Sequence, residues 1–206
     1  MSEENVMVEE TEAVVEQETP DPRAAQLEEL NKQAREHLAT NEWETALDLY
    51  RQALALTEEA GDDAGADAGD KAEALNNIAS VYLAQKEWTQ ALELLELARQ
   101  LLREAGDQEG EATTLNNIAS AHNELGNWAQ AIAIYEEALA IREAQNDLEG
   151  QAKTLRNLAI IYVQHGTRVK AKSYLNKAMQ LAKKAKSREL VGIIRATLSQ
   201  LPKFRR

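Results

Sequence analysis

The sequence specifies an all-α fold in which helical hairpins stack into a solenoid, and three features point there. Leu75-Asn76-Asn77-Ile78-Ala79-Ser80 returns letter for letter as Leu115-Asn116-Asn117-Ile118-Ala119-Ser120, and returns altered as Leu155-Arg156-Asn157-Leu158-Ala159-Ile160, 40 residues apart each time. A period in the range of roughly 20–50 residues marks a repeat array whose units bury their apolar faces against one another. Aromatic residues make up only 4% of the 206-residue chain and proline occurs only three times, while alanine and leucine abound, which suits close helix packing better than sheets. Finally, apolar residues recur at helical and not alternating spacing throughout residues 24–201.

Residues 1–22 hold eight carboxylates and no Lys or Arg, and end in Thr19-Pro20-Asp21-Pro22. Such a stretch cannot offset the entropy of ordering, so a disordered acidic tail is expected. The first hairpin, about 24–60, has Leu27, Leu30 and Ala34, a loop at Thr40-Asn41-Glu42, then Trp43, Ala46, Leu47, Tyr50, Ala53 and Leu54. Gly61 to Asp70 is expected to form a flexible acidic loop, and its aspartates lack the ordered ligands and closing Glu of a calcium loop.

The second hairpin, 70–106, repeats the pattern with Leu75, Ile78, Ala79, Tyr82, Trp88, Ala91, Leu95 and Ala98. The third, 110–146, has Leu115, Ile118, Ala119, His122, Trp128, Ala131, Tyr135 and Ala138, and the fourth, 150–186, has Leu155, Leu158, Ala159, Tyr162, Ala171, Leu175 and Ala178. At the joints, Gly61-Asp62, Gly106-Asp107 and Asn146-Asp147 pair a residue tolerant of left-handed backbone with an aspartate able to cap the next helix. A last apolar helix, 188–201, has no partner and serves to cover the final apolar face. Pro202 stops it, and residues 202–206 form a basic tail. Trp43, Trp88 and Trp128, one turn before the alanines, are expected to be core wedges; Arg168 stands in that slot in the fourth hairpin.

The small residues Ala34, Ala79, Ala119 and Ala159, with the pairs Ala46/Ala53, Ala91/Ala98, Ala131/Ala138 and Ala171/Ala178, resemble the tetratricopeptide repeat. The 40-residue unit with Leu-Asn-Asn is similar to the longer variety found in kinesin light chains and bacterial peptide-sensing regulators. The resemblance implies a right-handed α-solenoid of four hairpins plus a C-terminal capping helix, whose first helices line a concave groove for extended peptides. It places Asn77, Asn117 and Asn157 as a ladder in that groove, with Asn76 and Asn116 beside them; an asparagine matches both polar groups of a peptide backbone without reading its sequence. Successive first helices about 10 Å apart would let one rung meet roughly every third residue of a ligand advancing ~3.3 Å per residue. The family's clamp for a chaperone's C-terminal carboxylate is only partly present, at Asn31, Arg35, Asn77, Thr113 and Asn117.

The fourth repeat departs from the others with Lys153, Arg156, Ile160 and Val163, recurring on one helix face. Exposed, these would take an acidic residue or free carboxylate beside a hydrophobic side chain; the alternative is that Ile160 and Val163 pack against the last helix.

No phosphate-cradling glycine loop, nucleophile elbow or metal-ligand motif occurs, cysteine is absent, and His37, His122 and His165 are far apart in sequence. The chain is therefore expected to be no enzyme and to need no cofactor or metal. It lacks an apolar run of membrane-spanning length and begins without a secretory leader, so a cytoplasmic protein is the expectation. Charge is strongly polarised: residues 1–167 hold 34 acidic and 11 basic side chains, residues 168–206 hold 1 and 12. A protein-interaction adaptor or scaffold binding an extended peptide is the leading reading, with a partner the sequence does not name. The competing one is a binder of nucleic acid or an acidic surface through Lys170, Lys172, Lys177, Lys183, Lys184 and Lys186. The acidic majority would repel phosphate, so nucleic acid is not the expected ligand. Opposite charges at the two ends imply weak head-to-tail self-association that salt dissolves.

Overall fold

A computed structural model describes residues 22–58 and 65–201. The acidic tail and the Gly61-Asp62 stop signal lie outside these residues, as does the basic tail at 202–206. The described residues form nine helices and no strand: α1 (Pro22–Ala39), α2 (Trp43–Glu58), α3 (Gly65–Ala84), α4 (Trp88–Ala105), α5 (Gln108–Glu124), α6 (Trp128–Ala144), α7 (Leu148–Gln164), α8 (Arg168–Lys184) and α9 (Arg188–Ser199). One correction concerns the expected acidic loop, since α3 already begins at Gly65; Ala66 and Ala68 are strong helix formers that outweigh the glycines there.

Helices pair as α1/α2, α3/α4, α5/α6 and α7/α8, and each pair rests on the first helix of the next. The core follows the same rule. Ala34, Ala46 and Tyr50 pack with Ile78 and Val81 of α3; Ala79, Ala91 and Leu95 with Ile118 of α5; Ala119, Ala131 and Tyr135 with Leu158 and Ile161 of α7. Ala171, Leu175 and Ala178 are covered by Leu190 and Ile194 of α9. Each fully buried leucine or isoleucine in these joints contributes about 1.5–3 kcal/mol, and the alanines between them permit close helix approach.

Every turn among the described residues resolves onto a left-handed residue. Asn41, Lys86, Gly126 and Gly166 turn the chain within hairpins, and Gly106, Asn146 and Lys186 turn it between them, with φ from 56° to 82°. At Gly106 the Asp107 N–H reaches back to the Leu102 carbonyl at 2.9 Å, which satisfies a carbonyl the helix end leaves open. Asp107 and Asp147 then cap α5 and α7, accepting from Gly110 N at 2.9 Å and Gly150 N at 2.8 Å.

The tryptophans do not share one environment. Trp43 packs partly buried against the first core cluster, whereas Trp128 is 46% exposed and its ring lies 4.8 Å from that of His165. Both residues open their helices, but Trp128 meets the next hairpin through His165 at the end of α7 and not through a core cluster.

Candidate functional site

The odd-numbered helices form one side of the array, and their contacts show which way it curves. α3 touches α5, α5 touches α7 and α7 touches α9, whereas the even-numbered helices do not pack on one another to that extent. Short side chains tie the odd helices: Asn76 Nδ2 donates to Thr114 Oγ1 at 2.8 Å and Asn116 Nδ2 to Thr154 Oγ1 at 3.1 Å. Long ion pairs span the even ones, Arg99 to Glu137 at 2.6 Å and Lys177 to Glu143 at 3.3 Å. The odd helices are therefore the inner, concave layer.

The predicted site residues sit on this inner layer in three situations. Asn76 and Asn116 hold neighbouring helices together through their amide N–H groups, while their Oδ1 atoms are buried with no partner among the described residues. Asn77, Asn117 and Asn157 are half-buried. Asn77 Nδ2 donates to Asn31 Oδ1 at 3.2 Å, Asn157 Oδ1 accepts from Arg156 Nη1 at 3.4 Å, and Asn117 lines a cavity between α3 and α5. Asn157 and Ser120 also hydrogen-bond the Tyr135 hydroxyl, whose burial pushes its pKa up to about 12.

Lys153 is exposed and paired with Glu149 at 2.8 Å; Arg156 reaches α9, its Nε donating to Thr197 Oγ1 at 3.3 Å. Ile160 is half-buried, and Val163 is half-buried against the last core cluster.

The 40-residue register extends the ladder further than sequence comparison of the asparagines suggested. Glu73, Thr113, Lys153 and Ile193 occupy one exposed slot of α3, α5, α7 and α9, and Thr197 continues the asparagine row. The groove therefore passes from acidic through neutral to basic and then apolar.

A second departure concerns the floor. Leu102 lines the α3–α5 cavity, of about 540 Å³, together with the carboxylates Glu73, Asp107 and Glu109 and no Lys or Arg. One repeat on, the Leu102 slot holds Arg142, buried to 7% exposure, with Nη1 2.9 Å from Asp147 and Nη2 donating to Thr113 at 3.2 Å. Arg142 was legible by comparing residues 102, 142 and 182, which read Leu, Arg and Ala.

On the outer layer, the aromatic of the basic hairpin is engaged internally. Tyr174 stacks on Tyr162 with centroids 5.5 Å apart, and Lys170 Nζ lies 2.8 Å from the Tyr162 hydroxyl, a contact that raises the lysine's pKa. Among the described residues no three His, Cys, Asp or Glu side chains converge as metal ligands, and no helix is long and apolar enough to cross a membrane.

The sequence profile of the tetratricopeptide repeat matches residues 70–144 and 110–184, and a second profile of the same description matches 30–64. The chain belongs to the tetratricopeptide-repeat family. No curated protein matches it significantly in sequence. Among solved structures, a Rap protein complexed with competence and sporulation factor superimposes with a TM-score of 0.77 at 18% identity, covering 89% of this chain and 49% of that one. Aspartyl phosphate phosphatase F from Bacillus subtilis gives 0.73 at 19%, covering 85% and 45%. BtubC (BKLC) from P. vanneervenii gives 0.67 at 21%, covering 89% and 85%. These likenesses show the same tetratricopeptide solenoid. The chain spans about half the length of the Rap protein and the phosphatase.

Proposed function

We propose that this tetratricopeptide-repeat chain is a non-catalytic adaptor that holds an extended peptide segment along its inner layer. The observation that carries the reading is the graded groove: half-buried amides at Asn77, Asn117 and Asn157 run beneath side chains that change from Glu73 to Lys153. Amides suit the ligand's backbone and the flanking charges select its side chains. The family relationship supports protein partners, and a neighbour of the same fold was solved with a bound factor.

Within this reading, Lys153 and Arg156 take an acidic residue or carboxylate of the ligand, and Ile160 with Val163 supplies the apolar neighbour. Asn76 and Asn116 support the site by fixing the spacing of α3, α5 and α7. Affinity capture with the intact chain, compared with Lys153→Glu/Arg156→Glu, tests this. The expected result is loss of the captured protein with unchanged helicity; the same protein captured at the same yield would remove the specificity site from the α7–α9 end.

A further inference from the structure

The α3–α5 cavity asks for a ligand opposite in charge to the one at the α7–α9 end. Three carboxylates, Glu73, Asp107 and Glu109, stand around it over an apolar floor at Leu102, and no cation lines it. The equivalent space between α5 and α7 is changed on both counts, because Arg142 takes the Leu102 slot and Lys153 the slot of Thr113. Of these two joints, the earlier one combines net negative charge with an apolar base. Its complement is a short segment with several cations around one large apolar side chain.

The chain carries such a segment in Lys203-Phe204-Arg205-Arg206, one residue after Leu201. Its own cavity is out of its reach. α9 lies two inner-layer steps beyond α5, about 20 Å at ~10 Å a step, and Leu201 follows the C-terminal end of α9 while the cavity lies along the earlier turns of α5. Residues 202–206, fully extended, span at most about 17 Å.

We propose that the α3–α5 cavity receives residues 203–206 of a second copy of this chain, with Phe204 over Leu102 and the three cations among Glu73, Asp107 and Glu109. The contact joins the basic end of one molecule to the acidic groove of the next. It is heterologous, so it leaves one free cavity and one free tail on every dimer and propagates into chains. Salt weakens it, because three of its four side chains act through charge.

Sedimentation velocity of the full chain across a concentration series tests the assignment with two variants. Glu73→Gln/Glu109→Gln removes two of the cavity's three charges and spares Asp107, which caps α5, and Phe204→Ala/Arg205→Gln/Arg206→Gln disarms the tail. Glu73 and Glu109 are exposed, and matching circular dichroism melts verify that each variant folds. The wild type is expected to associate at low salt and to dissociate at about 0.5 M salt, and each variant to weaken association by about tenfold or more. Mixing the two variants restores a single productive interface and gives a 1:1 dimer that grows no further. A wild type that stays monomeric at low salt overturns the proposal, as does a tail variant that associates like the wild type. A synthetic peptide of residues 198–206 is expected to bind the tail variant, whose cavity is intact, and a peptide that does not bind it overturns the proposal as well. Lys153→Glu/Arg156→Glu leaves both interface partners intact, so capture through the α7–α9 end and self-association fail independently.

Discussion

Arg142 Nη1 lies 2.9 Å from Asp147 Oδ2, and the other oxygen of that carboxylate caps α7 through Gly150 N at 2.8 Å. One aspartate thus neutralises a buried guanidinium and closes a helix end. Asp147→Ala should cost about 3 kcal/mol, the low end for opening a buried pair because 32% of the Asp147 side chain meets solvent. Arg142→Leu, which installs the residue of the preceding repeat, should cost less, because the carboxylate it leaves behind is partly exposed and still accepts from Gly150 N. Urea denaturation compares them; equal losses would show that the leucine of the preceding repeat is not tolerated in this joint.

Two glycines separate packing from propensity. A Cβ on Gly150 would run into Arg142 Nη1 and Asp147, whereas one on Gly192, inside α9, meets nothing within 4 Å. Gly192→Ala should therefore gain about 0.5–1 kcal/mol by helix propensity, while Gly150→Ala loses stability. Arg142→Leu should rescue part of that loss, and a melt of the double variant reads the coupling.

Ala131 is fully buried where α6 crosses α5 and α7. Ala131→Leu should cost about 1–3 kcal/mol through overpacking; an unchanged denaturation midpoint would mean that the site relaxes freely.

Much of this architecture is written in the repeated Leu, Ile and Ala positions, because burial at 40-residue spacing admits few other arrangements. The asparagine rows were legible as a pattern, but their partners were not: Thr114 and Thr154 are neighbours of Asn76 and Asn116 only once α3, α5 and α7 lie side by side. Lys86 and Lys186 at positive φ escaped a reading that sought Gly and Asn, since the turn geometry there overrides the preference of the side chain. Trp128 occupies the same repeat slot as Trp43, and the structure gives no reason in that slot for its greater exposure.

Tyr135 predicts an alkaline response. Burial is the largest cause raising its pKa from 10.0 to about 12, so folding favours the protonated phenol. Its contribution is complete below the unfolded value and is lost as pH rises from about 10 towards 12. Tyr135→Phe removes the titrating group, and its melting temperature should fall less steeply than that of the wild type across this window. Parallel slopes would assign the alkaline loss to other groups.

The two asparagine ties are interchangeable joints. Asn76 meets Thr114 as Asn116 meets Thr154, at a sequence separation of 38 in each case. A spliced copy of the third repeat would find the same socket before it and the same plug after it. Such an insertion would move the acidic and basic ends of the groove about 10 Å further apart, or about three residues of extended ligand. The molecule is in this sense a ruler with movable marks: the distance between an acidic and a basic feature that it recognises is set by how many units separate Glu73 from Lys153, and not by the chemistry of either residue.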